Sequence, residues 1–327
     1  MRAFLFGAGS SFGTLKGGEV CPPLAMGFGK ALSKQSGFEE RYPNLSLAAM
    51  EVGKKLSEVG LEDLWTCIDY YAKLSGLDAN CALGPKPDWL DPAVRELKGG
   101  ALLWLYGRRC DEAANALPDD CTVIHLLQST RAGDVVVSFN YDTIIERLAK
   151  RRSLNLRHSR CPPGPFVRFL KPHGSASWPL RSLLSEVVDG EPLLDSLAED
   201  MNNDPLLLGA VPIKSELMRE VQRCYRTEHV FEVVMHQWRG VVEAVRDADE
   251  LVVVGYSFPK EDHYGRFLFK QGLHLRNFRR IKRIEFYNTS ADCETISDIF
   301  GELTEEIVWK GPVCCRDSLT PAERSRF

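Results

Sequence analysis

Five short apolar stretches, residues 2–6, 134–139, 166–170, 250–254 and 283–287, each run into a small polar cluster. The clusters are Gly7-Ala8-Gly9-Ser10, Asn140-Tyr141-Asp142, Lys171-Pro172-His173-Gly174, Gly255-Tyr256-Ser257 and Asn288-Thr289-Ser290. Runs such as Val135-Val136-Val137 and Val252-Val253-Val254 do not alternate with polar residues, so they read as strands covered on both faces. In a parallel sheet of this kind, ligands bind at the carboxyl ends of the strands. The five clusters would then converge on one cleft although they lie far apart in the chain.

Helical spacing fills the intervals. Phe231, Val234, Trp238, Val241, Val242 and Val245 mark one face of a helix. Another helix starts at Thr143, where Thr143 with Glu146 reads as a capping box, and a further one is expected over residues 291–305, after the last strand at 283–287. Residues 47–59, 61–74 and 92–116 carry apolar side chains three and four apart, with a loop at 77–91 and a loop-rich stretch at 179–215. The pattern predicts an α/β chain: a Rossmann-like, mostly parallel sheet with helices on both faces and a helical insertion module. The expected division is 1–35 plus 119–310 for the sheet domain, 36–118 for the helical module and 311–327 for a C-terminal tail.

Composition narrows the partners. With 327 residues, 44% hydrophobic and 26% charged, the chain buries a sizeable core and is not disordered throughout. Lys plus Arg total 41 against 45 Asp plus Glu, a net charge of -4, so no basic surplus points to nucleic acid or an anionic membrane. The first residues are too short an apolar run for a signal peptide, and no stretch approaches the ~20 apolar residues of a membrane span. The expected location is the cytoplasm. Ten cysteines form no Cys-x-x-Cys pair, which fits reduced, mostly buried thiols. His158 with Cys161 is the only suggestive ligand spacing, and no metal is expected.

Each cluster has a bland reading beside a chemical one. Gly7, Ala8, Gly9 and Ser10 follow a strand, which suits a phosphate loop, yet Phe12 holds the place of the third glycine of a dinucleotide fingerprint. The bland alternative is a glycine turn needed only for packing. Gly9, Ser11 and Gly13 also match Gly-x-Ser-x-Gly, a serine-nucleophile pattern, here after the first strand rather than a later one. Asn140 and Asp142 suit ribose contacts or helix capping. His173, between Pro172 and Gly174, has the most exposed-looking histidine context and suits a general base. Gly255, Ser257 and Asn288 suit backbone and ribose contacts or ordinary turns, and Asp262 reads as a first-turn acid.

Taken in order, Gly-Ala-Gly-Ser at 7–10, Ser-Phe-Asn-Tyr-Asp at 138–142, Lys-Pro-His-Gly-Ser at 171–175 and Val-Gly-Tyr-Ser-Phe-Pro at 254–259 resemble the sirtuin-like family. More narrowly, they are similar to the bacterial branch whose members hydrolyse NAD in anti-phage defence. Val211-Pro212-Ile213-Lys214, Trp238 before Ala248-Asp249, and Asp262 agree with it. The resemblance implies that Gly7, Ala8, Gly9 and Ser10 hold the NAD pyrophosphate and Asn140 and Asp142 the nicotinamide ribose region. It places His173 as the catalytic base and Ser257 and Asn288 against the adenosine half. Residues 179–215 contain no cysteine, so the zinc ribbon of deacylating sirtuins is missing, and Val20-Cys21-Pro22-Pro23 stands in place of their Asp-Phe-Arg element. The expectation is an NAD glycohydrolase that takes NAD as substrate without a metal. It would be held inactive until a partner protein or homo-oligomer assembles it. The alternatives are a module that senses NAD or ADP-ribose without turnover, an NAD-dependent protein deacylase, and a serine hydrolase acting through Ser11.

Overall fold

The apolar runs become strands where both of their faces are covered. The structure, a computed structural model, describes residues 1–14, 27–74, 87–108, 110, 114–115, 117, 119, 121–157, 165–179, 205–207, 228–259, 262–277, 279–288, 299–300 and 304–311. In chain order the strands are β1 (Arg2–Phe6), β2 (Val135–Ser138), β3 (Leu156–Arg157), β4 (Val167–Leu170), β5 (Gly174–Pro179), β6 (Pro205–Leu207), β7 (Glu250–Val254), β8 (Arg283–Tyr287) and β9 (Ile307–Trp309). Seven of them form one sheet in the order β3-β4-β2-β1-β7-β8-β9. Every pairing in it is parallel, which sharpens the expected mostly parallel sheet. β5 and β6 form a separate antiparallel ribbon.

Alternate side chains feed two cores. Ala3, Leu5, Val135, Val137, Leu251 and Val253 point to one face, where Trp238, Val241 and Val245 of the helix Glu228–Asp247 and Phe269 of the helix His263–His274 cover them. Phe4, Phe6, Val136, Val252 and Val254 point to the other, beneath Ile124 and Leu127 of the helix Thr122–Gln128 and Ile144, Ile145 and Leu148 of the helix Ile144–Arg151. A parallel sheet needs this double cover, because its central strands β1, β2 and β7 carry runs of apolar side chains on both faces. The arrangement is a Rossmann-like α/β fold. The chain places β2 on one side of β1 and β7 on the other, so the β1/β7 crevice is the topological switch point.

Residues 28–106 contribute a third apolar cluster, built around Leu45, Leu64, Trp65, Leu97 and Leu102, which also takes in Tyr141 and Ala176 from beside the sheet. The helix expected over 47–59 spans Pro43–Glu51 instead. Pro43 opens it at a position that needs no N–H donor, and Gly53, at φ +71°, stops it. The helix expected over 92–116 is observed as Leu90–Arg95 running into a π-helical segment, Glu96–Arg108. β8 is not the last strand, since β9 pairs beyond it. The loop at 77–91 falls largely outside the described residues, as do most of 179–215, most of the helix expected over 291–305, and the tail after Gly311. Cys67, Cys110 and Cys121 are buried thiols that form no disulfide, and burial pushes Cys67 up to about 11. Among the described residues, no helix is long and apolar enough to cross a membrane.

Candidate functional site

The turn after β1 is fitted against the turn after β7. Gly7 N donates to Val254 O at 2.9 Å, Gly9 N to Gly255 O at 2.9 Å, and Ser10 N to Gly7 O at 2.9 Å. A Cβ on Gly7 would lie 2.5 Å from Tyr256 Cα, and one on Gly9 would lie 2.9 Å from Gly255 O. Gly255 sits at φ +60°, where an added Cβ would meet Ser10 N at 2.0 Å. Close packing of two neighbouring strand ends therefore accounts for these glycines. The phosphate-loop reading expected free N–H groups here, and those of Gly7, Gly9 and Ser10 are instead directed at protein carbonyls. Gly7 and Ser10 are buried, Gly9 is half-buried, and Ala8 is exposed.

Asn140, just past β2, reaches into this turn. Its Nδ2 donates to Gly7 O at 3.0 Å and Ser11 Oγ at 3.0 Å, with Ser10 Oγ at 3.3 Å. Its Oδ1 is buried without a hydrogen-bond partner. Ser11 Oγ donates to Asp142 Oδ2 at 2.8 Å, and Asp142 Oδ1 accepts from Ile144 N at 3.1 Å. Asp142, 2% exposed, therefore faces protein with both oxygens and steadies Asn140 through Ser11. Ser11 is itself 3% exposed and lies in the helix Ala8–Thr14, not on the sharp elbow that a serine nucleophile occupies.

The expected capping box is absent. Thr143 is the N-cap residue but makes no side-chain cap bond, and its Oγ1 accepts from Arg147 Nε at 2.8 Å. Asp142 caps the helix in its place. Glu146 turns inward because a buried cation awaits it: Lys171 Nζ donates to Glu146 Oε1 at 2.8 Å, and Ser175 Oγ donates to the same oxygen at 3.3 Å. Lys171 Nζ also donates to Asp142 O. Burial raises both carboxyls, Asp142 and Glu146, above their usual range, with Lys171 pulling the other way.

His173 follows β4. Gln237 Oε1 accepts from Lys171 N at 2.8 Å, Pro172 O accepts from Trp238 Nε1 at 2.9 Å, and Gly174, at φ +83°, reverses the chain. The turn expected from Pro172 and Gly174 is present, yet the ring is folded inward and His173 is only 7% exposed, contrary to its exposed-looking context. Nδ1 lies 3.1 Å from Phe139 O. A carbonyl oxygen only accepts, so Nδ1 carries a proton. Nε2 lies 3.2 Å from Asp262 Oδ2, but the approach is outside hydrogen-bonding geometry, and Nε2 is buried with no hydrogen-bond partner. The carboxylate thus sits beside Nε2 and off its bonding axis.

Asp262 reads from the sequence as a first-turn acid and as one residue of the resemblance, with no partner assigned. It does cap its helix, with Oδ1 accepting from Gly265 N at 2.9 Å, while Oδ2 accepts from Tyr256 OH at 2.7 Å and faces the imidazole. Tyr256 is stacked on Phe139 at 4.2 Å and 4°, and the Phe139 ring stands edge-on to His173 at 5.4 Å. Burial, then the Asp262 charge, drives the Tyr256 hydroxyl well above its ordinary range. Phe258, fully buried at φ +53°, holds the intervening turn in a conformation that bulky residues rarely adopt. Ser257 is half-buried in that turn. Asn288 Nδ2 donates to Tyr256 O at 2.8 Å, and its Oδ1 is likewise buried without a hydrogen-bond partner.

The structure therefore brings the glycine turn, Asn140, His173, Gly255 and Asn288 to one end of the sheet, and adds Asp262, Tyr256, Lys171 and Glu146, whose pairings no local sequence signal announces. Among the described residues no group of three His, Cys, Asp or Glu side chains is placed to hold a metal. His158, Cys161 and Val211-Pro212-Ile213-Lys214 lie outside the described residues. No family model matches the chain, and no curated protein matches it. The sirtuin-like resemblance rests on the quoted motifs alone.

Proposed function

We propose that this protein is an NAD glycohydrolase, taking NAD at the carboxyl ends of β1, β2, β4 and β7 and releasing nicotinamide and ADP-ribose. The observation that carries the reading is a pair of buried, unpartnered polar atoms, Asn140 Oδ1 and His173 Nε2, on side chains from adjacent strand ends. Buried polar atoms without partners are rare in folded proteins, and two of them on neighbouring strand ends are where a bound ligand would supply the missing bonds. Both atoms accept hydrogen bonds when Nδ1 holds the imidazole proton. A ribose diol supplies the matching donors.

In this mechanism Asn140 orients the nicotinamide ribose. The bond from nicotinamide nitrogen to ribose carbon breaks with its electron pair leaving on nitrogen, which neutralises the charged ring and leaves an oxocarbenium-like sugar. Water adds to that carbon. His173 Nε2 takes the proton that the water or a ribose hydroxyl gives up. The protein's work is orientation and charge placement rather than leaving-group activation. Uncontrolled hydrolysis of NAD would poison the cell that makes the enzyme, so the proposal includes activation by a partner or by self-association, and a place in bacterial anti-phage defence.

The test is incubation of purified protein with NAD, alone and after self-association or partner addition, followed by chromatographic identification of products. His173→Ala and Asn140→Ala should each lower the rate about 100-fold or more. Wild-type rates in both variants overturn the assignment. A second reading, a module that binds NAD or ADP-ribose without turnover, is favoured by the inward fold of His173. Tight binding with no nicotinamide released under any condition would select it. Nicotinamide release that requires an acyl-lysine peptide would select a deacylase instead.

A further inference from the structure

We infer that Asp262 is the positioning residue for His173, holding a carboxylate beside the imidazole to pair with the charge the ring acquires when it accepts a proton. The inference deepens the function proposed above and rests on His173 being the base. Three features of the site point to it. Asp262 Oδ2 lies 3.2 Å from Nε2 yet off its bonding axis, so the direction in which Nε2 would take a proton is left to a ligand. The ring cannot turn away without losing the contact of Nδ1 with Phe139 O at 3.1 Å. The carboxylate is itself fixed at both oxygens, by Gly265 N and by the Tyr256 hydroxyl, and is 4% exposed.

The consequence is electrostatic. A proton arriving on Nε2 makes an imidazolium, and an ionised carboxylate already in place meets it without reorganisation in a site from which water is largely excluded. Tyr256 keeps Oδ2 aimed, because its ring is fixed by stacking on Phe139. Helix capping uses Oδ1 alone, and the Tyr256 hydroxyl holds the second oxygen within 3.2 Å of the imidazole. Asp262 touches neither the sugar nor water in this scheme and acts only through His173.

The test separates charge from fold. Asp262→Asn keeps a cap oxygen for Gly265 N, since asparagine caps as well as aspartate. The Tyr256 hydroxyl can accept from the new amide. The expected result is an unchanged denaturation midpoint, a kcat about 100-fold lower and a KM within about 3-fold of wild type. If Asp262→Asn does not fold, Asp262→Ser retains the cap oxygen and makes the same comparison. An active wild type with an equally active, folded variant overturns the inference while leaving the proposed function standing. A wild type that never cleaves NAD overturns the function. In that event 15N spectra of the His173 ring, recorded on free protein, decide the pairing. Ring signals that move in Asp262→Asn uphold it, and signals that stay in place overturn it.

Discussion

Replacing Lys171 by methionine tests how the charge buried behind the site is balanced. The Lys171 and Glu146 side chains are both 0% exposed, and their 2.8 Å contact is the only cationic partner that the structure gives Glu146 among the described residues. In Lys171→Met the carboxylate keeps Ser175 on Oε1, and its Oε2 has no partner even in the wild type. A buried carboxylate left in this state escapes by binding a proton. From the ordinary value of 4.5, protonation costs about 3.4 kcal/mol at pH 7, two and a half pH units at about 1.36 kcal/mol each, and the wild type, whose Glu146 is itself raised, already bears part of it. The figure lies within the about 3–5 kcal/mol typical of a broken buried pair.

The sign with pH follows from the same group. Glu146 is already raised in the folded wild type, so its contribution to stability is full below the unfolded value of 4.5 and is lost as pH rises through the folded value. Removing Lys171 takes away the pull that opposes burial, raises the folded value further, and extends the loss to higher pH. Urea denaturation followed by tryptophan fluorescence should therefore show Lys171→Met destabilised by more at pH 7, where the ceiling is about 3 kcal/mol, than at pH 5, where it is about 1 kcal/mol. Lys171→Met combined with Glu146→Gln should regain most of the loss and flatten the difference. A loss equal at the two pH values, or no loss at pH 7, refutes the reasoning.

Two further substitutions probe the frame. Gly255→Ala places a Cβ 2.0 Å from Ser10 N at φ +60°, and should lower stability by about 2 kcal/mol or more in thermal denaturation; a neutral result would mean that the β1 and β7 turns are not interlocked. Arg276→Lys should destabilise by about 2–4 kcal/mol, because the guanidinium donates to the carbonyls of Val245, Arg246, Ala248, Arg279 and Arg280 and an ammonium cannot span them. A wild-type urea midpoint for that variant would show these bonds to be dispensable. The losses of activity in His173→Ala and Asn140→Ala, and of kcat in Asp262→Asn, stand as stated with their assays.

Strands β1, β7 and β8 are legible to the residue because uninterrupted apolar runs have few other uses. β9 is three residues between acids and a lysine at the sheet's edge, and β3 is two residues, too little pattern to separate from a loop. Gly7 and Gly9 read as a ligand cradle, and the nearer cause is Gly255, a neighbour invisible in linear order. Pro172 and Gly174 announce a turn but not which way the imidazole folds within it. The Thr143 and Glu146 spacing fits a capping box, and it loses to Lys171, which supplies a buried charge that a helix terminus does not match. Asp262 meets His173 only once β4 and β7 share a sheet, so their pairing is tertiary from the start.

β1 lies between β2 and β7, with residue 2 registered against residue 250. Parallel pairing at such separation forms late, since the intervening chain must be closed before any contact rewards it. A ribosome must therefore deliver the chain as far as Gly255 and Tyr256 before the glycine turn has a wall to rest against. A copy cut short before residue 262 has no place where Asn140, His173 and Asp262 coexist, so the chemistry proposed for this site would be silent in it.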